Sequence, residues 1–162
     1  MPLITTISEK HLIGIRVKMS MQKDKTFELW HSFMTQKKYI LNTVTNDMIC
    51  LQVYDNVLDF KDFGIETEFE KWATIEVSNF NLVPKNMEKF TLPGGLYAVF
   101  RYVGSAKDFK DTFNYIFYSW LPLSDYILDT RPHFEVMGDK YKNNDPNSEE
   151  YIYIPICRKE VI

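Results

Sequence analysis

The segment spanning residues 92–120 constrains the fold more than any other part of the sequence. A Pro-Gly-Gly turn at residues 93–95 leads into the aromatic and β-branched run 96–103, which predicts a strand. Ser105 can then cap a helix, because its hydroxyl can satisfy one of the free amides at a helix N-terminus. Large apolar residues recur at helical spacing after it, which predicts an amphipathic helix that ends near Pro122: Phe109, Phe113, Ile116, Phe117 and Trp120.

The same strand–helix order occurs near the start of the chain. Residues 11–19 alternate as a strand, and residues 27–38 place apolar side chains on one helical face: Phe27, Trp30, Phe33 and Met34. Two alternating segments follow each helix, at 48–54 and 71–77 in the first half and at 133–138 and 151–157 in the second, with a polar loop at 55–68. The sequence therefore predicts an α+β fold built from two strand–helix–strand–strand units, with both helices on one face of an antiparallel sheet.

The alternation within these strands also predicts which side chains share a face. We expect the aliphatic faces to lie under the helices, including Ile49, Leu51, Val53, Phe134 and Val136. The opposite face would then form a ligand cleft that is aromatic and acidic, suited to a cation. Its predicted lining is Gln52, Tyr54, Trp72, Glu76, Glu135, Met137, Tyr151 and Tyr153. Two alternatives stay open, since Glu135 could be a solvated carboxylate and the aromatic residues could be cross-strand pairs.

Composition excludes several classes of protein. Nineteen basic and 22 acidic residues give a net charge of −3, which argues against a nucleic-acid-binding surface. No apolar run reaches the roughly 18 residues that a membrane span needs, and the N-terminus lacks the pattern of a signal peptide. The two cysteines and three histidines lack metal-ligand spacing. We therefore predict a cytoplasmic protein with reduced thiols, no metal and no cofactor.

Several motifs resemble one known family. The segments LPGGLYAVFRYVG (92–104), WLP (120–122), RPHFEV (131–136) and YIYIPI (151–156) resemble the GyrI-like small-molecule-binding domain, which is also the effector-binding domain of AraC-type and MerR-type multidrug-responsive regulators. In that family a buried glutamate meets cationic or lipophilic ligands among aromatic rings, and the motif places this role on Glu135. The family often has His where Tyr102 stands and Tyr where Met137 stands.

The resemblance covers nearly the whole chain and predicts one domain over residues 1–162. Its pseudo-repeats would span about 11–78 and 96–157, with no room for a DNA-binding domain before the first strand. The leading hypothesis is a stand-alone protein that binds amphipathic, cationic or lipophilic small molecules, without direct contact to nucleic acid or membrane. Two alternatives are a small hydrolase that uses Glu135 and a protein-interaction module of the gyrase-inhibitor type. No nucleophile–base motif supports the hydrolase.

Overall fold

The computed structural model describes residues 1–54 and 62–160, so positions 55–61 of the predicted loop lie outside the described residues. Helix α1 spans Thr26–Gln36 and is followed by a 3₁₀ turn, Lys37–Tyr39. Helix α2 is a continuous run of an α-helical, a π-helical and a second α-helical segment: Lys110–Asn114, Tyr115–Trp120 and Leu121–Leu123. Within the described part the strands are β1 Leu3–Ile7, β2 Lys10–Met19, β3 Thr43–Val53, β4 Phe69–Val77, β5 Glu88–Leu92, β6 Gly95–Val103, β7 Tyr126–Leu128, β8 His133–Met137 and β9 Glu149–Arg158.

The strands form one curled antiparallel sheet in the order β1-β6-β9-β8-β3-β4-β2-β5, with β7 paired to the end of β9. Helix α1 packs on a core cluster that includes Ala73, and α2 packs on a cluster that includes Ile152. Ala73 lies opposite Cys50, Cys50 opposite Glu135, and Glu135 opposite Ile152. Because directly opposed residues share a face of a sheet, both helices cover the same face. The predicted α+β fold class is confirmed.

Strand pairing has a two-fold pattern about the centre of the sheet. The first half contributes the neighbours β2-β4-β3 and the second half contributes β6-β9-β8, and the halves meet where β3 pairs with β8. The sequence patterns do not predict strands β1 and β5, which form the two edges of the sheet. Each pairs with a strand of the opposite half, β1 with β6 and β5 with β2. The predicted duplication stays a prediction, but this is the pairing that such a duplication would give.

Matching ion pairs on the two halves support the same symmetry. Arg16 on β2 contacts Glu70 on β4 at 2.9 Å, and Arg101 on β6 contacts Glu149 on β9 at 2.5 Å. In both halves an arginine of the first strand pairs with a glutamate at the start of the third strand. Both arginines are well exposed, so these pairs contribute little stability and serve here as markers of equivalent positions.

Helix α1 is rotated relative to the prediction. It begins after Asp24, whose carboxylate accepts a hydrogen bond from the Thr26 amide at 2.9 Å. Its buried residues are Leu29 and Phe33, four positions apart and so on one face. The predicted apolar face is therefore wrong for Phe27 and Met34, which are 75% and 49% exposed.

Helix α2 confirms the predicted position of the cap and extends past the predicted end. Ser105 flanks the 3₁₀ turn Ala106–Asp108, and its hydroxyl donates to the Asp108 carboxylate at 2.9 Å rather than bonding a backbone amide. The helix includes Pro122 and ends at Leu123, one residue past the proline that was predicted to end it. No helix among the described residues is long and apolar enough to cross a membrane.

The predicted assignment of faces is wrong for β3 and β8. Ile49, Leu51 and Phe134 belong to a third core cluster on the face opposite the helices, with Val53 and Val136 packed against it. Ile49, Leu51 and Phe134 are nearly inaccessible, because the curled sheet buries both of its faces at the centre. Alternation gives the period of a strand but does not reveal which of two apolar faces the helices cover. We call the face opposite the helices the distal face.

We expect the substitution Gly14→Ala to destabilise the protein. A β-carbon at this position of β2 would lie 1.9 Å from the carbonyl oxygen of Ala73 on the neighbouring strand. The backbone of β2 or β4 would have to move, which costs about 2 kcal/mol or more. Gly64→Ala is the matched control, since nothing lies within 4 Å of its added β-carbon. Chemical denaturation tests the pair, and equal stability of the two variants would contradict this packing.

Candidate functional site

A group of polar side chains lies on the helix-bearing face, where the two halves of the sheet meet. Cys50 on β3 faces Glu135 on β8, and Gln52 faces His133 in the next row. Lys71 on β4 extends that second row beyond Gln52. Glu150 on β9 lies on the same face, two residues before the direct neighbour of Glu135. We call this group the central recess, defined by Cys50, Gln52, Lys71, His133, Glu135 and Glu150.

Glu135 is the centre of the recess. Its carboxylate accepts a hydrogen bond from Gln52 Nε2 at 2.8 Å. The side chain keeps part of its surface accessible, although protein surrounds it closely. Burial raises the pKa of Glu135, while the charge of Lys71 and the hydrogen bond from Gln52 partly offset that increase. The electrostatic attraction between such a carboxylate and a cation is strongest when the cation is weakly hydrated, because less water then screens the two charges.

Glu150 adds a second carboxyl group to the recess. Burial, and then repulsion from Glu135, raises the pKa of Glu150 to about 7. Two carboxyl groups in one partly desolvated site disfavour simultaneous ionisation, so a proton or another cation is needed to stabilise the pair. At neutral pH this site therefore changes its charge readily.

Lys71 supplies the one positive charge in this group. Its ammonium donates a hydrogen bond to Thr26 Oγ1 at 2.9 Å, at the first turn of α1. Burial opposes the charge of Lys71, but the neighbouring ionisable groups, including Cys50, Glu135 and Glu150, more than offset it and raise the pKa of Lys71. Burial also raises the pKa of the Cys50 thiol to about 12, so at neutral pH the thiol is uncharged and the negative charges of the recess are those of its carboxylates.

Aromatic rings form one side of the recess. Tyr54 meets the His133 ring edge to face at 5.0 Å, and Phe117 of α2 stacks on His133 at 6.1 Å. Phe113 packs on Phe117 at 4.7 Å. Burial lowers the pKa of His133 to about 3, so at neutral pH its ring is uncharged and packs as an aromatic group. The carboxylates thus lie beside rings whose faces attract cations.

The structure divides the predicted lining between the two faces of the sheet. Gln52, Tyr54, Glu135 and Met137 lie on the helix-bearing face, and the structure brings the first three together in or beside the recess. Four other predicted residues lie on the distal face: Trp72, Glu76, Tyr151 and Tyr153. The prediction that all eight share one cleft is wrong, because the helices cover the opposite face of β3 and β8 from the one expected.

The distal residues have structural partners of their own. Tyr153 stacks on Phe134 with ring centroids 4.4 Å apart, and Trp72 Nε1 donates to Glu70 at 2.6 Å. Glu76 pairs with Lys10 at 3.5 Å, and Tyr151 is 43% exposed on the strand next to Arg101. Cross-strand pairing, the alternative left open by the sequence, describes Tyr153 well.

Several residues of the site were not predicted: Cys50, Lys71, Phe113, Phe117, His133 and Glu150. One signal was available for Lys71, because alternation places it with Ala73 and Ile75 on an otherwise aliphatic face. A lysine in such a row needs a nearby acceptor. The same signal was available for Glu150, because alternation places it in the row of Ile152, Ile154 and Ile156, whereas its neighbour Glu149 falls in the row of Tyr151 and Tyr153. Among the described residues, no group of three or more His, Cys, Asp and Glu side chains could hold a metal ion.

The sequence matches one protein family over residues 3–156, the family described as "Cass2: Integron-associated effector binding protein". The chain belongs to this family. A curated relative is the transcriptional regulator BrlR of Pseudomonas aeruginosa, 28% identical over 151 residues. That alignment covers 90% of this chain and 51% of BrlR, so the chain spans about half the length of its relative.

Solved structures share the fold. SAV2435 bound to tetraphenylphosphonium superposes with a TM-score of 0.70 at 14% identity, over 97% of this chain and 94% of that one. The C-terminal domain of EcmrR gives a TM-score of 0.71 at 14% identity, over 98% of both chains. A hydrolase of Listeria innocua gives 0.61 at 12% identity, over 96% of this chain and 91% of that one. The resemblance to effector-binding domains of regulators, expected from the sequence motifs, is confirmed.

We expect Glu150→Gln to change how stability depends on pH. The folded-state pKa of Glu150 is raised, so the folded protein binds more protons than the unfolded chain between about pH 4.5 and pH 7. Its carboxyl therefore costs stability as the pH rises through that window, by at most about 3 kcal/mol. The variant should be as stable as the wild type near pH 4.5 and more stable at pH 8, as measured by urea denaturation.

Glu149→Gln is the matched control for this experiment. Its hydrogen bond with Arg101 lowers the pKa of Glu149, so this carboxylate contributes stability at neutral pH that is lost on acidification. The two neighbouring substitutions should thus change stability in opposite directions at pH 8. A Glu150→Gln protein that is less stable than the wild type at pH 8 would contradict the environment described for Glu150.

Proposed function

We propose that this protein binds lipophilic cations in the central recess, with Glu135 as the anionic partner of the ligand. The observation that carries the proposal is a partly desolvated pair of carboxyl groups beside aromatic rings, between two helices. A cation would stabilise the ionised form of Glu135, which burial disfavours in the free protein. The rings of Tyr54 and Phe117 would meet the apolar groups that surround the charge.

The family supports a small-molecule ligand for this chain. The family is described as effector-binding, and the structure of SAV2435 has been solved with tetraphenylphosphonium, a large lipophilic cation, bound. The regulator BrlR is about twice as long as this chain, so we propose for this chain the role of the effector-binding part alone. Cys50 and Cys157 of this chain are free thiols, which fits the cytoplasmic location predicted from the sequence.

Binding of tetraphenylphosphonium tests the proposal against tetraphenylborate, an anion of nearly the same size and shape. We expect calorimetric titration to show binding of the cation and much weaker binding of the anion. Glu135→Gln keeps the shape and the hydrogen-bonding capacity of the side chain but removes its charge. This substitution should lower the affinity for the cation about 5- to 100-fold, the range for loss of a charge-assisted contact.

Glu76→Gln is the matched control, because it removes the same charge from the distal face. We expect it to leave the affinity for tetraphenylphosphonium within about twofold of the wild type, since this charge lies on the opposite face of the sheet and is neutralised by its pair with Lys10. Equal affinity for the cation and the anion would contradict the proposal. So would equal losses from the two substitutions.

A hydrolase is the second candidate, and the pair of carboxyl groups is the observation that favours it. A carboxyl group with a pKa of about 7 beside another carboxylate can exchange protons at neutral pH, as general acid–base catalysis requires. Glu135→Gln distinguishes the candidates. A hydrolase would lose about 10²- to 10⁴-fold in turnover at nearly unchanged affinity, whereas a binding protein loses affinity and has no turnover to lose.

A further inference from the structure

Lys71 is a charged residue of the central recess for which the proposed function gives no role. It lies in a row of β4 whose next members, Ala73 and Ile75, are buried apolar residues. An exposed position would cost a lysine nothing, whereas this position removes much of its water. The ammonium is nevertheless charged, because the acidic groups around it raise the pKa of Lys71.

The ammonium is anchored to a helix rather than to a carboxylate. Lys71 Nζ donates to Thr26 Oγ1 at 2.9 Å, and the Thr26 hydroxyl in turn contacts Met19 Sδ at 3.7 Å. Within residues 1–54 and 62–160, no carboxylate oxygen lies within 4.0 Å of the ammonium. The positive charge therefore acts on Glu135 and Glu150 through space while it leaves their oxygens available to another partner.

The balance of charges then limits what the recess accepts. Glu135 and Glu150 contribute up to two negative charges, and Lys71 contributes one positive charge. Asp24 also acts on Lys71, but it is exposed to water at the start of α1, where solvent screens it. At most one negative charge is thus left for a ligand, which matches a cation of charge +1.

We propose that Lys71 is a resident counter-ion that sets the ligand charge of the central recess, so that the recess takes monovalent cations and disfavours divalent ones. The proposal rests on the proposed function. Removing the ammonium leaves two carboxyl groups without a resident partner. The recess would then offer an anionic partner to each positive group of a divalent ligand, whereas in the wild type the second positive group would lose water without gaining such a partner.

Two quaternary ammonium compounds built on one ring test this inference. Benzyltrimethylammonium carries one positive charge, and 1,4-bis(trimethylammoniomethyl)benzene carries two. We expect the wild type to bind the monovalent compound at least as tightly as the divalent one. Lys71→Gln keeps a polar side chain near Thr26 and should increase the affinity for both compounds. It should also shift the ratio of their dissociation constants about tenfold or more in favour of the divalent compound.

Two variants control for the nature and the location of the charge. Lys71→Arg keeps a positive charge and should keep the wild-type preference. Lys18→Gln removes the same charge from an exposed position on the distal face and should change the ratio less than about twofold. Lys71→Met removes the charge with an apolar side chain of similar length, and it replaces Lys71→Gln if thermal unfolding shows that the glutamine variant does not fold.

The outcomes separate this inference from the proposed function. If the wild type binds neither compound nor tetraphenylphosphonium, the proposed function fails. If it binds these cations but Lys71→Gln or Lys71→Met leaves the ratio of dissociation constants unchanged, Lys71 does not set the ligand charge and this inference alone is wrong. A wild type that prefers the divalent compound would overturn the inference in the same way.

Discussion

The antiparallel pairing of β3 with β8 is the constraint on which the rest of the structure depends. It joins the two halves of the sheet, and its register sets Cys50 opposite Glu135 and Gln52 opposite His133. A shift by one residue would turn Glu135 to the distal face and Phe134 to the helices, because side chains alternate between the faces of a strand. The position of the carboxylate, the aromatic rings beside it and the core on the distal face all follow from this one register.

Buried and incompletely compensated charge is what makes the recess suited to binding a charged ligand. Polar groups of both halves meet at a position where apolar residues would give a lower desolvation cost. A hydrogen bond from Gln52 and the positive charge of Lys71 offset part of that cost. The pKa values of Glu135 and Glu150 are raised because this compensation is incomplete. Sites that keep such unbalanced charge are common where ligands or substrates bind. The helices keep the recess between them, since α1 provides Thr26 and α2 provides Phe117.

Local patterns in the sequence were sufficient for the architecture but not for the site. The turn at residues 93–95, the strand β6 and the helix after Ser105 follow from glycine, β-branched and aromatic residues at short range. The choice of face at β3 depends on which apolar side the helices cover, and Ile49 and Cys50 are both buried, so burial does not distinguish their faces. Glu135 was identified through a family motif. Lys71 and Glu150 come from strands distant in sequence, and only the sheet order brings them to Glu135.

A crystal structure of the protein with tetraphenylphosphonium tests the location of the site most directly. The phosphonium should lie on the helix-bearing face between α1 and α2, above Glu135, with phenyl rings against Tyr54 or Phe117. The side chains of the distal face should keep their positions, including the stack of Tyr153 on Phe134. A cation bound on the distal face, in contact with Trp72 or Tyr153 and remote from Glu135, would show that the central recess is not the binding site.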